Sequence, residues 1–215
     1  MQESYKTITT TATSELREKA SKFLGFAFPV FNEEEIHQAL LELRKVHPKA
    51  THHCYAWRLG YDKNNYRAND DGEPSGTAGK PILGQIDSKD LTNTLIIVVR
   101  YFGGTLLGTS GLIAAYRESA KITIDQCNII EKWITKSYQI TVDYSLMNDL
   151  IEAIKKCKYQ IIEQNYKDNH ALIKIEVEIA KVGVFKTELF SRINKISFEE
   201  ATLIKEIGGI TFQEI

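Results

Sequence analysis

The hydrophobic pattern of the chain is clearest around its most apolar block, Leu95 to Val99. This block is too short for an ordinary helix and is rich in β-branched residues, so it predicts a central strand that is buried on both faces. A glycine-rich stretch follows, and a helical pattern then runs from Leu112 to Ile124. The helix would bury one side, formed by Leu112, Ala115, Ser119 and Ile122. The pattern therefore predicts a strand, a glycine-rich loop and a helix in succession.

The segments before this block predict more strands and two helices. Residues 4–13 and 23–31 have the composition of strands. Asn32 precedes three glutamates, which is typical of a helix start, and Pro48 would end that helix. Residues 51–59 predict a strand in which successive side chains point to opposite faces. Residues 66–68 begin a return strand, and a further helix starts near Ser75 or Thr77, after loop-forming residues 69–79.

Beyond residue 135 a new pattern begins, in which helical and alternating segments follow each other regularly. Strands are predicted at 137–144, 159–166, 171–180 and 199–207, and one helix begins at Ser145. A second helix is marked by Phe185, Leu189, Ile193 and Ile196. The order βαββαβ is the ferredoxin-like pattern. We therefore predict an α+β protein with an N-terminal domain at 1–135, built of helices on a mixed sheet, and a ferredoxin-like C-terminal domain at 136–215.

The composition limits the classes of function. The chain has 215 residues, 43% of them hydrophobic, and a formal net charge of −1. The two halves divided at residue 135 carry 16 basic and 16 acidic residues, and 11 basic and 12 acidic residues. Because nonspecific binding to nucleic acid needs many lysine and arginine contacts to phosphates, any such role would depend on a local patch.

Cysteine usage and hydropathy indicate the compartment. The three cysteines form no CxxC pair, which argues against a disulfide framework or a zinc site and fits a reducing cytosol. The sequence contains neither a signal peptide nor an apolar run of membrane-spanning length. We therefore expect a soluble, cytoplasmic protein without a membrane partner.

The glycine-rich stretch has the layout of an anion-binding loop but not its full motif. Backbone N–H groups and the positive end of a helix dipole would converge on one point there, which suits a phosphate. However, Thr109 and Ser110 stand where a P-loop has lysine and a hydroxyl residue, and the glycine spacing of a dinucleotide-binding loop is also missing. The glycines could equally serve only tight turns and close packing. Arg100, at the end of the buried strand, needs an internal carboxylate or a ligand anion.

Three blocks of the sequence form a distinctive ordered set. The first is residues 52–57, HHCYAW, and the second is residues 70–81, DDGEPSGTAGKP. The third is RYFGG at 100–104 followed by Leu107 and Gly108. Together they resemble the IMPACT family, whose bacterial members are the YigZ-type proteins. The resemblance covers roughly residues 15 to 130, and the remainder is similar to the C-terminal domain of the bacterial branch.

The resemblance implies both a fold and a function. It implies a left-handed βαβ type of N-terminal domain, similar to a small-subunit ribosomal protein, domain IV of elongation factor G and certain small-molecule kinases. It also implies a role in translational control, because the eukaryotic relative binds an activator of the amino-acid-starvation kinase. Direct contact of a bacterial member with the ribosome or RNA is our extrapolation.

Several polar residues could carry a metal or a reaction, but each has a simpler interpretation. His53 and Cys54 are adjacent on a strand and cannot easily bind one ion, so we assign no metal there. Asp70, Asp71 and Glu73 could hold magnesium beside a phosphate. We favour the alternative, in which they form a solvated turn or pair with Arg100 and Lys80. No cofactor and no catalytic residue are assigned.

Two classes of function remain open. The favoured one is a non-enzymatic regulator or accessory of translation, whose partner is the ribosome, RNA or a translation-associated protein. The other is a nucleotide- or phosphate-binding enzyme related to small-molecule kinases, since residues 104–115 are similar to their glycine and serine loop. The candidate binding residues are Lys80, Arg100, Gly103, Gly104, Gly108, Thr109, Ser110 and Gly111, with His52, His53, Asp70, Asp71 and Glu73 beside them.

Overall fold

The computed structural model describes residues 2–215. It consists of two compact units, one formed by residues 4–132 and the other by residues 133–215 together with residues 2 and 3. Both units combine helices with antiparallel sheets, so the predicted α+β class is confirmed. Each unit is described separately below.

The strands of the first unit form a five-stranded sheet and a two-stranded one. They are β1 (Ser4–Ile8), β2 (Ala12–Glu18), β3 (Ser21–Pro29), β4 (His52–Leu59), β5 (Asn65–Asn69), β6 (Thr94–Tyr101) and β7 (Ile129–Trp133). The larger sheet has the order β2-β3-β6-β4-β5, and β1 pairs with β7. Every pairing in the larger sheet is antiparallel, so the predicted mixed sheet is wrong. The sequence predicts two strands before residue 32, whereas the structure has three there, β1, β2 and β3.

The helices of the first unit are α1 (Glu33–Val46), α2 (Gly79–Ser88) and α3 (Gly108–Asp125). Strand β6 is central and buried on both faces, as its apolar run predicts. Its residues Ile96 and Val98 pack with α2 and α3, and Leu95, Ile97 and Val99 pack with α1 on the opposite face. The predicted start of α1 is also confirmed, because the side chain of Asn32 accepts a hydrogen bond from the backbone N–H of Glu35 at 2.9 Å.

The second unit has the strand order of the ferredoxin-like fold. Its elements are β8 (Thr135–Asp143), α4 (Tyr144–Lys156), β9 (Gln160–Tyr166), β10 (His170–Glu178), α5 (Phe185–Asn194), α6 (Phe198–Ala201) and β11 (Ile210–Glu214). The sheet order is β11-β8-β10-β9. Alternate residues of β8 and β10, such as Ile140 and Ile173, pack with Leu150 and Ile154 of α4.

One predicted strand of this unit is wrong. Residues 199–207 were expected to close the sheet, but Ser197 caps the short helix α6 through a capping box with Glu200. The last strand is β11, which begins at Ile210 and pairs with β8. The capping box is a local sequence signal that outweighs the apolar residues of the segment.

Candidate functional site

The glycine-rich stretch after β6 is shorter as a loop than the sequence predicts. Helix α3 begins at Gly108 and not at residue 112, so Thr109, Ser110 and Gly111 lie in its first turn and not in the loop. Gly108 has a positive φ of 73°, which favours glycine at this position. The first turn contains no acidic residue, and no side chain among residues 2–215 caps it. Its free N–H groups and the positive end of the helix dipole are therefore available to an anion.

Gly103 is fixed by packing. A Cβ atom at Gly103 would lie 1.8 Å from the carbonyl oxygen of Ala20, in the turn between β2 and β3. The neighbouring residue of that turn, Lys19, donates a hydrogen bond from Nζ to the carbonyl oxygen of Leu106 at 3.4 Å. Gly104, with φ at +83° and open space around it, is not held in this way. The loop thus lies directly on the β2–β3 turn.

A cavity of about 390 Å³, here called the loop pocket, opens between this loop and the ends of β4 and β6. It brings His52, Glu73, Arg100, Gly108 and Thr109 together. Its other walls are largely apolar, and Leu106 and Phe102 remain 81% and 43% exposed. The full lining consists of Thr51, His52, Glu73, Pro74, Arg100, Phe102, Leu106, Leu107, Gly108, Thr109 and Leu112.

The charge of Arg100 is met inside the protein. Its Nη1 lies 2.6 Å from Oε1 of Glu73, and its Nη2 donates to Oγ of Ser21 at 3.1 Å. Both side chains of the ion pair are about 95% buried, with 5% and 4% exposure. Glu73 is therefore the internal carboxylate that pairs with Arg100, as one of the two interpretations of the sequence expects. A binding role for Arg100 stays a prediction.

Tyr116 also belongs to this polar cluster, although no pattern in the sequence marks it as a site residue. Its hydroxyl donates to Oε1 of Glu73 at 2.7 Å. Cys54 contacts the same hydroxyl at 3.3 Å and the carbonyl oxygen of Asp70 at 3.0 Å. Burial raises the pKa of both the Cys54 thiol and the Tyr116 hydroxyl, so both stay protonated. Cys54 is thus a buried, unreactive thiol.

Each of the three acidic residues in the loop before α2 has different bonding partners. Asp70 accepts hydrogen bonds from the backbone N–H groups of Gly76, Ala78 and Gly79. Burial opposes ionisation of Asp70, but these hydrogen bonds and the charge of Lys80 lower its pKa. Asp71 pairs with Arg44 at 2.7 Å, and Glu73 pairs with Arg100. Within residues 2–215 these carboxylates do not converge, and no group of three metal-ligating side chains forms.

The two histidines of β4 lie on opposite faces of the sheet, as the alternation of the strand predicts. His52 lines the loop pocket, where its Nε2 is 3.8 Å from Oε1 of Glu73. His53 is 5% exposed and lies beside Arg44 and Leu43 of α1. Burial lowers the pKa of His53, and its Nε2 has no hydrogen-bond partner in the described part of the chain. Only His52 belongs to the pocket.

Lys80 lies outside the loop pocket. It lines a separate cavity of about 420 Å³ between α2 and α3, here called the α2–α3 cleft. Arg117 also lines the cleft, although no pattern in the sequence marks it as a site residue. The lining residues are Gly76, Lys80, Pro81, Gly84, Gln85, Ile113 and Arg117. Of the predicted binding residues, Lys80 therefore lines the cleft and five others line the loop pocket. The rest line neither cavity, namely His53, Asp70, Asp71, Gly103, Gly104, Ser110 and Gly111.

Fold and site together define an α+β protein with a glycine-rich loop and pocket on its first unit and a ferredoxin-like second unit. The model of the Impact N-terminal domain matches residues 19–124. IMPACT family member YvyE of Bacillus subtilis is 32% identical over 96% of this chain and 96% of its own. IMPACT family member YigZ of Escherichia coli is 33% identical over 81% of this chain and 87% of its own. The chain belongs to the IMPACT family.

The relatives extend to eukaryotes and to a solved structure. The protein IMPACT homolog of Saccharomyces cerevisiae is 36% identical over 46% of this chain and 39% of its own. A crystal structure of a hypothetical protein covers 100% of this chain and 98% of that one, with a TM-score of 0.69 and 28% identity. Among residues 2–215, no helix has the length and apolar character needed to cross a membrane.

Proposed function

We propose that this protein is a non-enzymatic accessory of translation that binds exposed nucleotides of RNA in the loop pocket. The observation that carries the proposal is the combination, in one cavity, of apolar walls and the uncapped start of α3. A nucleotide offers the two matching parts, because its base is flat and apolar on its faces and its phosphate is an anion. The translational part of the proposal comes from the family to which the chain belongs.

In this proposal, each wall of the pocket contacts a different part of the nucleotide. Phe102, which is 43% exposed, offers an aromatic face on which a base can stack. The N–H groups of Gly108 and Thr109, at the uncapped start of α3, would donate to a phosphate oxygen. Arg100 supports the pocket, since its guanidinium carbon lies 5.4 Å from the ring centre of Phe102. Its positive charge is balanced by Glu73, so Arg100 positions Phe102 and does not supply net charge.

Direct binding is tested with a fluorescein-labelled single-stranded RNA 12-mer of mixed sequence and the full chain, followed by fluorescence anisotropy at low salt. We expect Phe102→Ala to weaken binding about tenfold, because one stacked base contributes roughly 1–3 kcal/mol. Phe31→Ala is the matched control, since Phe31 is also exposed and lies outside the pocket. If Phe102→Ala binds as tightly as the parent, the pocket is not the binding site.

The link to translation is tested by sucrose-gradient sedimentation of the tagged protein from cell lysate, with and without ribonuclease. We expect co-migration with a ribosomal fraction, sensitivity to ribonuclease, and loss of co-migration in Phe102→Ala. A parent protein that stays at the top of the gradient would contradict direct association with the ribosome.

A second candidate is binding of a free nucleotide, as in the related small-molecule kinases. The observation that favours it is Thr109, a residue with a hydroxyl group, which lines the pocket in the first turn of α3. Calorimetric titration with ATP and magnesium distinguishes the two candidates. A flat trace at millimolar ATP, together with binding of the RNA 12-mer, would exclude the free-nucleotide candidate and support the RNA proposal.

A further inference from the structure

The α2–α3 cleft holds two cations that the fold leaves without ion-pair partners. Lys80 and Arg117 are exposed, and neither forms an ion pair with any residue from 2 to 215. In contrast, Lys89 and Lys121, on the same two elements or their ends, pair with Asp125 and Glu118. Lysine and arginine side chains that face one cavity without carboxylates within bonding distance favour an anion there.

The shape of the cleft supports the same conclusion. Gly84 lies in the interior of α2 and lines the cleft. A Cβ atom added at Gly84 would meet nothing within 4 Å, so packing does not require glycine at this position. A glycine in a helix interior costs about 1 kcal/mol relative to alanine. Because Gly84 has no side chain, the surface of α2 stays open at this point of the cleft. A ligand that contacts Lys80 and Arg117 can therefore lie directly on α2.

Helix α3 connects the cleft to the loop pocket. Thr109, Ile113 and Arg117 follow one another at i, i+4 and i+8, so they lie along one side of the helix. Thr109 lines the loop pocket, and Ile113 and Arg117 line the cleft. With a rise of 1.5 Å per residue, Thr109 and Arg117 are about 12 Å apart along the axis. A strand of RNA that leaves the pocket along this side of α3 reaches the cleft within a few nucleotides.

From these observations we infer that the α2–α3 cleft binds the phosphodiester backbone of RNA next to the base held in the loop pocket. Lys80 and Arg117 contact phosphate oxygens, and the open surface at Gly84 lets the backbone approach α2. This inference rests on the proposed function, because it assigns the second contact of the same RNA strand. It also explains how a chain with a net charge of −1 can bind RNA through a local patch.

The test measures anisotropy of the same fluorescein-labelled RNA 12-mer over a series of salt concentrations. For single strands, log K decreases with log salt, and the magnitude of this slope drops by about 0.7 for each phosphate contact that is lost. We therefore expect the double variant Lys80→Gln, Arg117→Gln to bind more weakly, with a slope shallower by about 1.4. Lys45→Gln is the control, because Lys45 lies on α1, which covers the opposite face of the sheet, and its slope should match the parent.

A second pair of variants tests the surface between the two cations. Gly84→Glu places a negative charge in the cleft, and Gly84→Gln places a side chain of similar size without charge. We expect Gly84→Glu to weaken binding strongly and Gly84→Gln to weaken it less. Thermal melts of the double variant should match the parent, since Lys80 and Arg117 are at the surface. Both Gly84 variants should melt at or slightly above the parent temperature, because Gln and Glu favour a helix more than Gly does.

The outcomes separate the inference from the proposed function. If the parent binds and Phe102→Ala weakens binding, but the double variant keeps the parent's affinity and slope, the cleft is not a phosphate site and the pocket proposal stands. If the parent does not bind the RNA at all, both proposals are overturned. Only a shallower slope in the double variant, together with the expected order of the two Gly84 variants, supports the inference.

Discussion

The loop pocket and the α2–α3 cleft lie at two places along helix α3. They differ in whether their positively charged side chains are neutralised within the protein. In the loop pocket, Arg100 is buried and its guanidinium is paired with Glu73. In the cleft, Lys80 and Arg117 are exposed and unpaired within the described residues. A buried charge must be neutralised inside the protein because its hydration is lost, whereas an exposed charge keeps its water until a ligand replaces it. The difference indicates that Arg100 stabilises the fold. In the proposed RNA site, the positive charge offered to phosphates therefore comes from Lys80 and Arg117.

The largest expected effect is on stability at Arg100. Arg100→Ala leaves Glu73 buried without its partner, so the free energy of unfolding should fall by about 3–5 kcal/mol. Lys80→Ala and Arg117→Ala should change it by no more than about 0.5 kcal/mol. Urea unfolding in a Trp133→Phe background measures this, because Trp57, which is buried in the first unit, is then the remaining tryptophan and reports on that unit.

The control for this comparison removes both charges. The double variant Arg100→Met, Glu73→Gln should recover much of the lost stability, since no uncompensated charge stays buried. If Arg100→Ala unfolds at the same urea concentration as the parent, Arg100 is not a structural charge, and the contrast between pocket and cleft fails.

The next effect compares a glycine of the loop beside the pocket with a glycine that lines the cleft. Gly103→Ala should lower the free energy of unfolding by about 1–3 kcal/mol, because its Cβ would overlap the carbonyl oxygen of Ala20 and force the loop to move. Gly84→Ala should raise it by up to about 1 kcal/mol through better helix propensity. The same urea assay measures both. Equal effects of the two substitutions would mean that the cleft glycine is also required for packing.

Asp70 links the two cavities, because it holds the backbone of the loop that precedes α2. Asp70→Asn should lower the free energy of unfolding by about 1 kcal/mol, the usual cost of a weakened cap. The folded-state pKa of Asp70 is lowered, so its contribution is present above the unfolded pKa and is lost as the pH falls through the folded value. Below about pH 4, the parent should therefore lose stability more steeply than Asp70→Asn in urea titrations.

The smallest effect concerns His53, on the sheet face opposite to the pocket. Burial lowers its folded-state pKa, so the unfolded state binds the proton more readily. Stability should therefore fall as the pH decreases below the unfolded value of about 6.5. His53→Gln should flatten this dependence between pH 7 and 5, measured by urea unfolding at each pH. Identical pH profiles for His53→Gln and the parent would contradict a buried, neutral His53.

Local signals in the sequence predict helices and strands more directly than they predict which distant residues come together. The apolar run of β6 and the cap at Asn32 gave the central strand and the start of α1 directly. The start of α3 was placed four residues late, because Gly108 and Gly111 are poor helix formers and the apolar period is visible only from Leu112. The last strand was misplaced because the capping box at Ser197 begins a helix in an apolar stretch.

The sequence by itself determined the α+β class, the alternation of β4 and the need of Arg100 for a counter-charge, since each depends on neighbouring residues or on the cost of burial. Only the tertiary structure decided which carboxylate meets Arg100, because Glu73 lies 27 positions away along the chain. The same holds for Tyr116, 43 positions from Glu73, and for the cleft, where Lys80 and Arg117 meet across two helices. Contacts of this kind depend on how the helices pack on the sheet, and the periodicity of a single segment carries no information about them.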